Sequence, residues 1–439
     1  MRSMKVYIET LGCPKNMNDS EMAAGILEDA GHEMTDQPEG AEAILVNTCG
    51  FIGDAKKESI EKIFDLAQIK DENALLIVSG CLSQRYQDEL YRQMPEADIF
   101  IGVNDYANLP KIIADYQGKR KKCFSSCGKE YIELPQRRFQ EGRYSATIKI
   151  AEGCDNTCAF CVIPSIRGGY RSRKRENIID EAARLAARGC KEIIVIAQDV
   201  TAYGIDLYGK FELPGLLRDL CKIEGIRWIR LMYCYEDRIT DELIETMRTE
   251  EKICNYIDIP IQHCSDKILS AMNRRSTKSS ILSTIGRLRK AIPDVHIRST
   301  VITGFPGEGK EEFYELFEFI EEIKLERLGV FAYSKEEGTP AAKMKQQVRA
   351  NTKEARKDSI MRRQLDISLE HNTSKIGGTL EVLVEGMDDE GVYYGRSRYD
   401  APEIDNAVLF TSDRKCKAGD IVNVKIMDAF DYDLVGREV

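Results

Sequence analysis

Short apolar segments alternate with amphipathic segments along the first quarter of the chain, and this alternation limits the possible folds more than any other feature. Strands are predicted at residues 5–9, 43–47 and 74–79, and helices at residues 19–30, 54–69 and from residue 83 onward. Asn18 is the predicted N-terminal cap of the first of these helices. Because parallel strands need crossover connections, the order β-α-β-α-β predicts a parallel sheet with helices across its faces.

The same alternation resumes in the middle of the chain and continues to about residue 349. Six strands are predicted, at residues 146–150, 192–197, 228–232, 256–259, 296–300 and 328–333, with helices between them. Six βα units predict a curved parallel sheet that forms an open, partial barrel, with its active site at the carboxyl ends of the strands. Residues 350–371 are predicted to form one long, charged, amphipathic helix.

The last part of the chain changes to a third pattern. After residues 377–378, short β-strands alternate with Gly and Asp turns, which is typical of a small β-barrel. The fold class is therefore α/β with a small all-β barrel at the end. The predicted division is an N-terminal parallel-sheet domain (1–118), a linker (119–139), a partial barrel (140–371) and a small β-barrel (372–439). The linker contains two basic runs, which we interpret as solvated charge.

The composition narrows the class of protein further. Hydrophobic residues make up 43% and charged residues 31%, and the formal net charge is −10. No apolar stretch approaches the ~18 residues of a membrane helix, and the N-terminus has no apolar signal region, so we expect a cytoplasmic protein without membrane contact. A reducing compartment favours metal or redox roles for the 14 cysteines, and with only four histidines any metal is expected on sulfur.

One group of cysteines follows the first strand of the predicted partial barrel. Cys154, Cys158 and Cys161 have the spacing Cys-x3-Cys-x2-Cys, which places three thiolates within eight residues. Three thiolates can hold three corners of a cubane iron–sulfur cluster and leave the fourth iron open to an amino and carboxylate ligand such as S-adenosylmethionine (SAM). Zinc sites normally use four ligands in Cys-x2-Cys pairs, so this spacing fits zinc poorly.

A second group of cysteines is spread over the N-terminal domain. Cys13, Cys49 and Cys81 each follow one of its predicted strands, and each has a neighbouring glycine. Because the carboxyl ends of parallel strands share one edge of a sheet, we expect the three thiolates to converge. The interpretation is a second three-cysteine cluster, and the alternative is three buried structural cysteines. Cys123 and Cys127 repeat the first spacing without a third cysteine.

These motifs resemble a known family. Cys-x3-Cys-x-aromatic-Cys, with Phe160 as the aromatic residue, resembles the radical SAM superfamily, and both cysteine groups followed by a small β domain resemble the methylthiotransferases over essentially the whole chain. Three segments resemble its RimO branch more closely: residues 12–16 (Gly-Cys-Pro-Lys-Asn), 163–168 and 400–405. The resemblance implies an N-terminal cluster domain, a radical SAM core, a terminal TRAM barrel, and an enzyme that methylthiolates the β-carbon of an aspartate in ribosomal protein S-twelve.

The resemblance also implies cofactors and their contacts. Two 4Fe-4S clusters and SAM are expected, with one SAM donating a methyl group and another cleaved to a radical. Phe160 is expected at the adenine, Gln198 at the amino group, and Arg298 at the carboxylate or ribose, although a structural role for Arg298 remains open. An electron donor such as a flavodoxin or ferredoxin is the expected partner besides the substrate.

The charge of the predicted terminal barrel bears on the substrate. Residues 374–439 contain 14 acidic and 8 basic residues, a net charge of −6. An acidic barrel suits a basic protein better than RNA, so we do not expect nucleic acid as the direct substrate. Asp400, Glu403 and Asp405 are expected to contribute to that docking surface. Two alternatives are the same chemistry on an adenosine of tRNA and a non-catalytic iron–sulfur sensor.

Overall fold

The computed structural model describes residues 2–126, 128–134, 136–139 and 142–439. The N-terminal part is a six-stranded parallel sheet in the order β2-β1-β3-β4-β5-β6. Its strands are β1 (Lys5–Thr10), β2 (Glu33–Thr35), β3 (Ala43–Thr48), β4 (Leu75–Ser79), β5 (Ile99–Ile101) and β6 (Lys121–Cys123), and its helices are α1 (Pro14–Asp29), α2 (Gly53–Ile69), α3 (Gly80–Gln93) and α4 (Leu109–Ala114). One apolar cluster under α1 and α4 and another under α2 and α3 bury the two faces of the sheet.

Two of these helices begin earlier than the sequence predicts. Helix α1 starts at Pro14, directly after Cys13, because proline is well suited to the first helical turn. Asn18 is therefore a buried residue inside the helix, and its prediction as a cap is wrong. Helix α3 starts at Gly80, so that Cys81 lies in its first turn. Both cysteines are thus fixed by a helix and not by a free loop.

The predicted linker is also more structured than expected. Strand β6 lies within it and extends the N-terminal sheet beside β5. The side chain of Arg137 is only 5% exposed and forms ion pairs with Glu21 and Glu181. Arg120 donates to the carbonyl groups of Tyr91, Met94 and Ala97. The interpretation of these basic runs as solvated charge is therefore wrong at Arg120 and Arg137, which join parts of the fold.

The middle part is an open, six-stranded parallel sheet in the order β14-β13-β12-β11-β10-β7, which confirms the predicted partial barrel. Its strands are β7 (Ser145–Lys149), β10 (Glu192–Ile196), β11 (Trp228–Leu231), β12 (Ile253–Asp258), β13 (His296–Thr303) and β14 (Arg327–Ala332), and β8 (Ala151–Glu152) and β9 (Arg171–Ser172) form a small separate pair. The helices are α5 (Ile163–Arg167), α6 (Arg175–Ala187), α7 (Ile205–Tyr208), α8 (Leu213–Cys221), α9 (Asp241–Thr249), α10 (Asp266–Ala271), α11 (Lys278–Ala291), α12 (Lys310–Ile323) and α13 (Ala350–Thr373).

The C-terminal part is a closed five-stranded barrel in the order β15-β16-β17-β19-β18, as predicted. Its strands are β15 (Thr379–Met387), β16 (Tyr393–Ser397), β17 (Val408–Thr411), β18 (Ile421–Ala429) and β19 (Leu434–Glu438). Alternate residues of these strands, among them Val382, Phe410 and Val424, form its apolar core. No helix among the described residues is both long and apolar enough to cross a membrane.

Buried ion pairs fix the C-terminal barrel to the middle sheet. Glu192 on β10 accepts hydrogen bonds from Arg230 on β11 and from Arg396 on β16, and all three side chains are at most 3% exposed. The carboxylate of Asp400 lies 2.7 Å from the guanidinium of Arg327. Because each charge is neutralised across the contact, the barrel is a fixed part of the molecule.

These contacts correct the expected docking surface. Asp400 and Asp405 are not available to a partner, because their side chains are buried against Arg327 and Arg298 of the middle sheet. Glu403 is the exposed member of the three. The acidic surface of the barrel instead includes Asp388 and Asp389 at the turn after β15.

Replacing Glu192 with Ala is expected to destabilise the protein, because Arg230 and Arg396 would then be buried without their carboxylate. Breaking a buried ion pair from one side costs about 3–5 kcal/mol, and we expect a loss of that size in the free energy of unfolding in urea. Asp413→Ala removes the exposed partner of Arg437 and is the control, with an expected change below about 1 kcal/mol. Equal effects of the two changes would contradict this account of the contact.

Candidate active site between two cysteine triads

The first triad lies at one edge of the N-terminal sheet. Cys13 immediately precedes α1, Cys49 follows β3, and Cys81 lies in the first turn of α3, so all three are at the carboxyl ends of adjacent strands. Burial, together with the nearby Cys81 and Cys13, raises the pKa of the Cys49 thiol to about 11. Gly12 is required beside them, since a Cβ there would lie 2.7 Å from the Cβ of Cys49.

The second triad lies in the loop between β8 and α5. The N–H of Cys161 donates to the carbonyl of Cys158 at 3.1 Å, and the Sγ of Cys158 is 2.7 Å from the hydroxyl of Tyr235. Burial, together with Cys158 and Cys154, raises the pKa of Cys161 to about 12. Asn273 donates to both the carbonyl and the hydroxyl of Thr157 and so holds the middle of the loop.

The donor set of each group is suited to an iron–sulfur cluster. Each consists of three thiols on backbone that glycine keeps open. In the part of the chain that the structure describes, no three His, Cys, Asp or Glu side chains gather as the ligands of a single metal ion. Thiolates are the ligands of cubane iron–sulfur clusters, so the donor chemistry of each triad is compatible with a cluster that leaves one iron open.

A buried charge network connects the first triad with the elements on either side of the second. Arg167 at the end of α5 donates to the Sγ of Cys81 at 3.3 Å, to Asp19 of α1 at 2.7 Å and to Glu152 of β8 at 3.0 Å. Lys149 of β7 forms ion pairs with the same two carboxylates. Although burial alone would raise it, the pKa of Glu152 is held below its usual range by Arg167 and Lys149. The N-terminal and middle parts therefore meet through paired charges beside the cysteines.

The predicted cofactor-binding residues have different surroundings. Gln198 donates to Glu152 at 2.6 Å, and its Oε1 is buried without a partner among the described residues. Phe160 packs edge to face on Phe305, with ring centres 6.4 Å apart. Arg298 donates to Asp405 of the C-terminal barrel at 2.6 Å. Gln198 and Phe160 thus border the second triad, whereas the guanidinium of Arg298 is already bound to the barrel.

Three further residues near the triads were not found from the sequence. The Nζ of Lys15 lies 3.5 Å from the centre of the Tyr233 ring, and burial lowers its pKa. The N–H of Tyr233 donates to Asp258 at 3.0 Å, and burial raises the pKa of Asp258 to about 6. Tyr233 and Asp258 lie at the carboxyl ends of β11 and β12, so their position after a strand was the available signal.

Comparison with known proteins gives matches along the chain. Residues 5–102 match the uncharacterized protein family UPF0004, residues 148–320 the radical SAM superfamily, and residues 376–439 the TRAM domain. The ribosomal protein uS12 methylthiotransferase RimO of Caldanaerobacter subterraneus subsp. tengcongensis is 50% identical, over 98% of this chain and 99% of its own. RimO of Acetivibrio thermocellus is 46% identical, over 99% and 98%.

The chain belongs to the RimO methylthiotransferase family. RimO membership confirms the predicted enzyme class, a radical SAM methylthiotransferase with iron–sulfur clusters and SAM as cofactors.

Among solved structures, the radical SAM methyltransferase TsrM from Kitasatospora setae has a TM-score of 0.57 and 14% identity, covering 77% of this chain and 74% of its own. The radical SAM enzyme OxsB has a TM-score of 0.55 and 13% identity, over 83% and 56%. These likenesses concern the fold alone.

Gly153→Ala is expected to displace the loop of the second triad. Gly153 has φ +80°, and a Cβ there would lie 2.0 Å from the carbonyl oxygen of Gly169. Gly189→Ala is the matched control, because Gly189 also has positive φ, at +93°, but has open space around it. Iron assays should show that the first variant loses about half of its iron, while the second retains it. Equal iron contents would contradict the steric argument.

Asp258→Asn is expected to change how stability depends on pH. The pKa of Asp258 is raised from 3.8 to about 6, so the folded state binds this proton more tightly than the unfolded state does. The ionised carboxylate therefore destabilises the fold above pH 6, and the penalty disappears as the pH falls towards 4. Urea unfolding should show the variant to be more stable at pH 7, by up to about 3 kcal/mol. A difference independent of pH would contradict this assignment.

Proposed function

We propose that the chain attaches a methylthio group to the β-carbon of an aspartate in ribosomal protein uS12. Relatives of 46–50% identity over nearly the whole chain are named uS12 methylthiotransferases, which supports this substrate. The observation that carries the proposal is that two cysteine triads lie on the two sides of one domain interface, where Arg167, on the helix after the second triad, donates to the sulfur of Cys81 in the first. One chain can thus offer two clusters to a single substrate.

Each triad is proposed to bind one cluster. The ligands are Cys154, Cys158 and Cys161 on the middle sheet, and Cys13, Cys49 and Cys81 on the N-terminal sheet. When bound, the clusters and SAM supply a carbon radical that takes hydrogen from an unactivated carbon, together with the sulfur and methyl group that replace it. An aspartate β-carbon has no good leaving group and is hardly acidic, so acid–base catalysis by side chains alone does not suffice.

The residues around the second triad are proposed to bind SAM. The unpartnered, buried Oε1 of Gln198 can accept a hydrogen bond from the ammonium group of SAM, and this would satisfy an otherwise orphaned atom. Phe160 offers its backbone to the adenine. Arg298 is proposed for the carboxylate or ribose, for which it would have to share its guanidinium with Asp405. The buried pairs around Arg167 keep water away from Cys81 of the first triad.

The partners follow from charge and chemistry. The exposed acidic residues of the barrel, among them Asp388, Asp389 and Glu403, support docking of a basic ribosomal protein over tRNA, because RNA phosphates are repelled by an acidic surface. Reducing equivalents are proposed to come from a flavodoxin or ferredoxin. Because the substrate is a ribosomal protein, we propose that the enzyme acts in the cytoplasm.

The two triads are expected to have separable roles. The anaerobically reconstituted chain should hold about eight irons, and the triple change of Cys13, Cys49 and Cys81 to Ala should leave about four. That variant should still cleave SAM to deoxyadenosine but give no methylthio product on uS12. Cys154→Ala should abolish the cleavage. Iron assays, chromatography of deoxyadenosine and mass spectrometry of uS12 measure the three results.

Cys123→Ala is the matched control, because Cys123 is a half-buried cysteine on β6 outside both triads. It should keep about eight irons and full activity. An unchanged iron content in the triple variant would exclude the N-terminal cluster. Methylthiolation of tRNA in place of uS12 would assign the chain to the tRNA-modifying branch of the family. Bound clusters without SAM cleavage would favour a non-catalytic sensor.

A further inference from the structure

Lys15 carries a buried positive charge for which the fold provides no anionic hydrogen-bond partner. The residue is only 9% exposed, and its Nζ lies over the ring of Tyr233 at 3.5 Å from the ring centre. Among the described residues, this ammonium forms no ion pair and no hydrogen bond. Removing an ammonium from water without pairing it costs free energy, so a buried cation of this kind is suited to an anion that arrives from outside.

The position of Lys15 is as informative as its lack of a partner. It lies in the first turn of α1, two residues after Cys13 of the first triad. Its charge also acts on Cys161 of the second triad, which is contributed by the middle sheet. Lys15 therefore lies beside the first triad and within electrostatic range of the second.

Neighbouring acids do not occupy this ammonium. Asp258 accepts the N–H of Tyr233 and faces Arg298 at 3.9 Å. Glu152 is bound by Arg167, Lys149 and Gln198. Burial lowers the pKa of Lys15, and the charges of Cys13, Glu152 and Asp258 raise it, but none of these three forms a hydrogen bond with its ammonium among the described residues. A carboxylate entering between the triads would be the first to bond with it directly.

We propose that Lys15 binds the side-chain carboxylate of the aspartate that is modified, and that it thereby selects an acidic residue as the substrate. This inference rests on the proposed function. The β-carbon of aspartate is bonded directly to its carboxylate carbon, so holding the carboxylate also fixes the carbon that reacts. An adenosine base has no carboxylate and would leave the ammonium unpaired. Lys15 is thus a specificity-determining residue, separate from the cluster ligands.

Two peptides that differ at one residue test this assignment. One copies the uS12 segment around the modified aspartate, and the other has asparagine in its place. The full chain with reconstituted clusters should bind the aspartate peptide more tightly. Lys15→Gln should lose on the order of 10–100-fold in affinity for the aspartate peptide, as expected for a lost charged hydrogen bond, and little for the asparagine peptide. Lys15→Arg should recover part of the preference, and KM should rise more than kcat falls.

Lys57→Gln is the matched control, since it makes the same change on the exposed face of α2 and should not alter the preference. Iron content is measured first for every variant. Loss of iron in Lys15→Gln would overturn the proposal, because Lys15 would then serve a cluster. A variant that retains its iron and keeps the wild-type preference for aspartate would also overturn it. The unmutated chain is assayed with uS12 before any variants are compared. If it does not modify uS12, the proposed function itself is overturned, whatever the role of Lys15.

Discussion

The guanidinium of Arg167 is the interaction on which the rest of the site depends. It projects from the helix that follows the second triad and bonds with Asp19 and Glu152, and also with the sulfur of Cys81 in the first triad. Removing one partner from a buried network of this kind costs about 3–5 kcal/mol, because an uncompensated charge remains inside. The relative position of the two triads is therefore set by paired charges, which have stricter geometry than apolar packing.

A second set of buried charges gives the C-terminal barrel its place. Glu192, Asp400 and Asp405 each neutralise arginines across the contact, and Glu381 of the barrel accepts from the indole N–H of Trp228 at 2.8 Å. The acidity of the barrel thus has two physical meanings. Part of it is structural and unavailable to a partner, and the exposed part at the turn after β15 remains for electrostatic attraction.

The sequence predicted the fold well where the local pattern of apolar residues directly reflects burial in the sheet. Strands buried on both faces of a parallel sheet are mostly apolar runs, so β3 and β10 were predicted to within one residue of their ends. The six triad cysteines could be placed because each follows a strand. Helix α1 was predicted to start too late, because Gly12 and Pro14, on either side of Cys13, suggest a turn as readily as a first helical turn.

What the sequence could not predict is pairing between distant residues. Nothing local to Arg298 indicates that it meets Asp405, which lies 107 positions away. Arg137 was assigned to solvent for the same reason, although Glu21 and Glu181 enclose it. Lys15 was noticed only as part of a family resemblance, since its burial depends on Tyr233 from another domain.

The shared carboxylates at the interface also bear on how such chains evolve. Asp19 belongs to the N-terminal part, whereas Lys149, Glu152 and Arg167 belong to the middle part, and one carboxylate of each part is held by both cations. A substitution on one side must be matched on the other, so these positions should vary together among relatives. A chimera that joins the N-terminal domain of one relative to the middle domain of another should therefore need Asp19 on one side and Lys149, Glu152 and Arg167 on the other. The N-terminal and middle parts are recognisable as separate modules, yet these four charges make them one electrostatic unit.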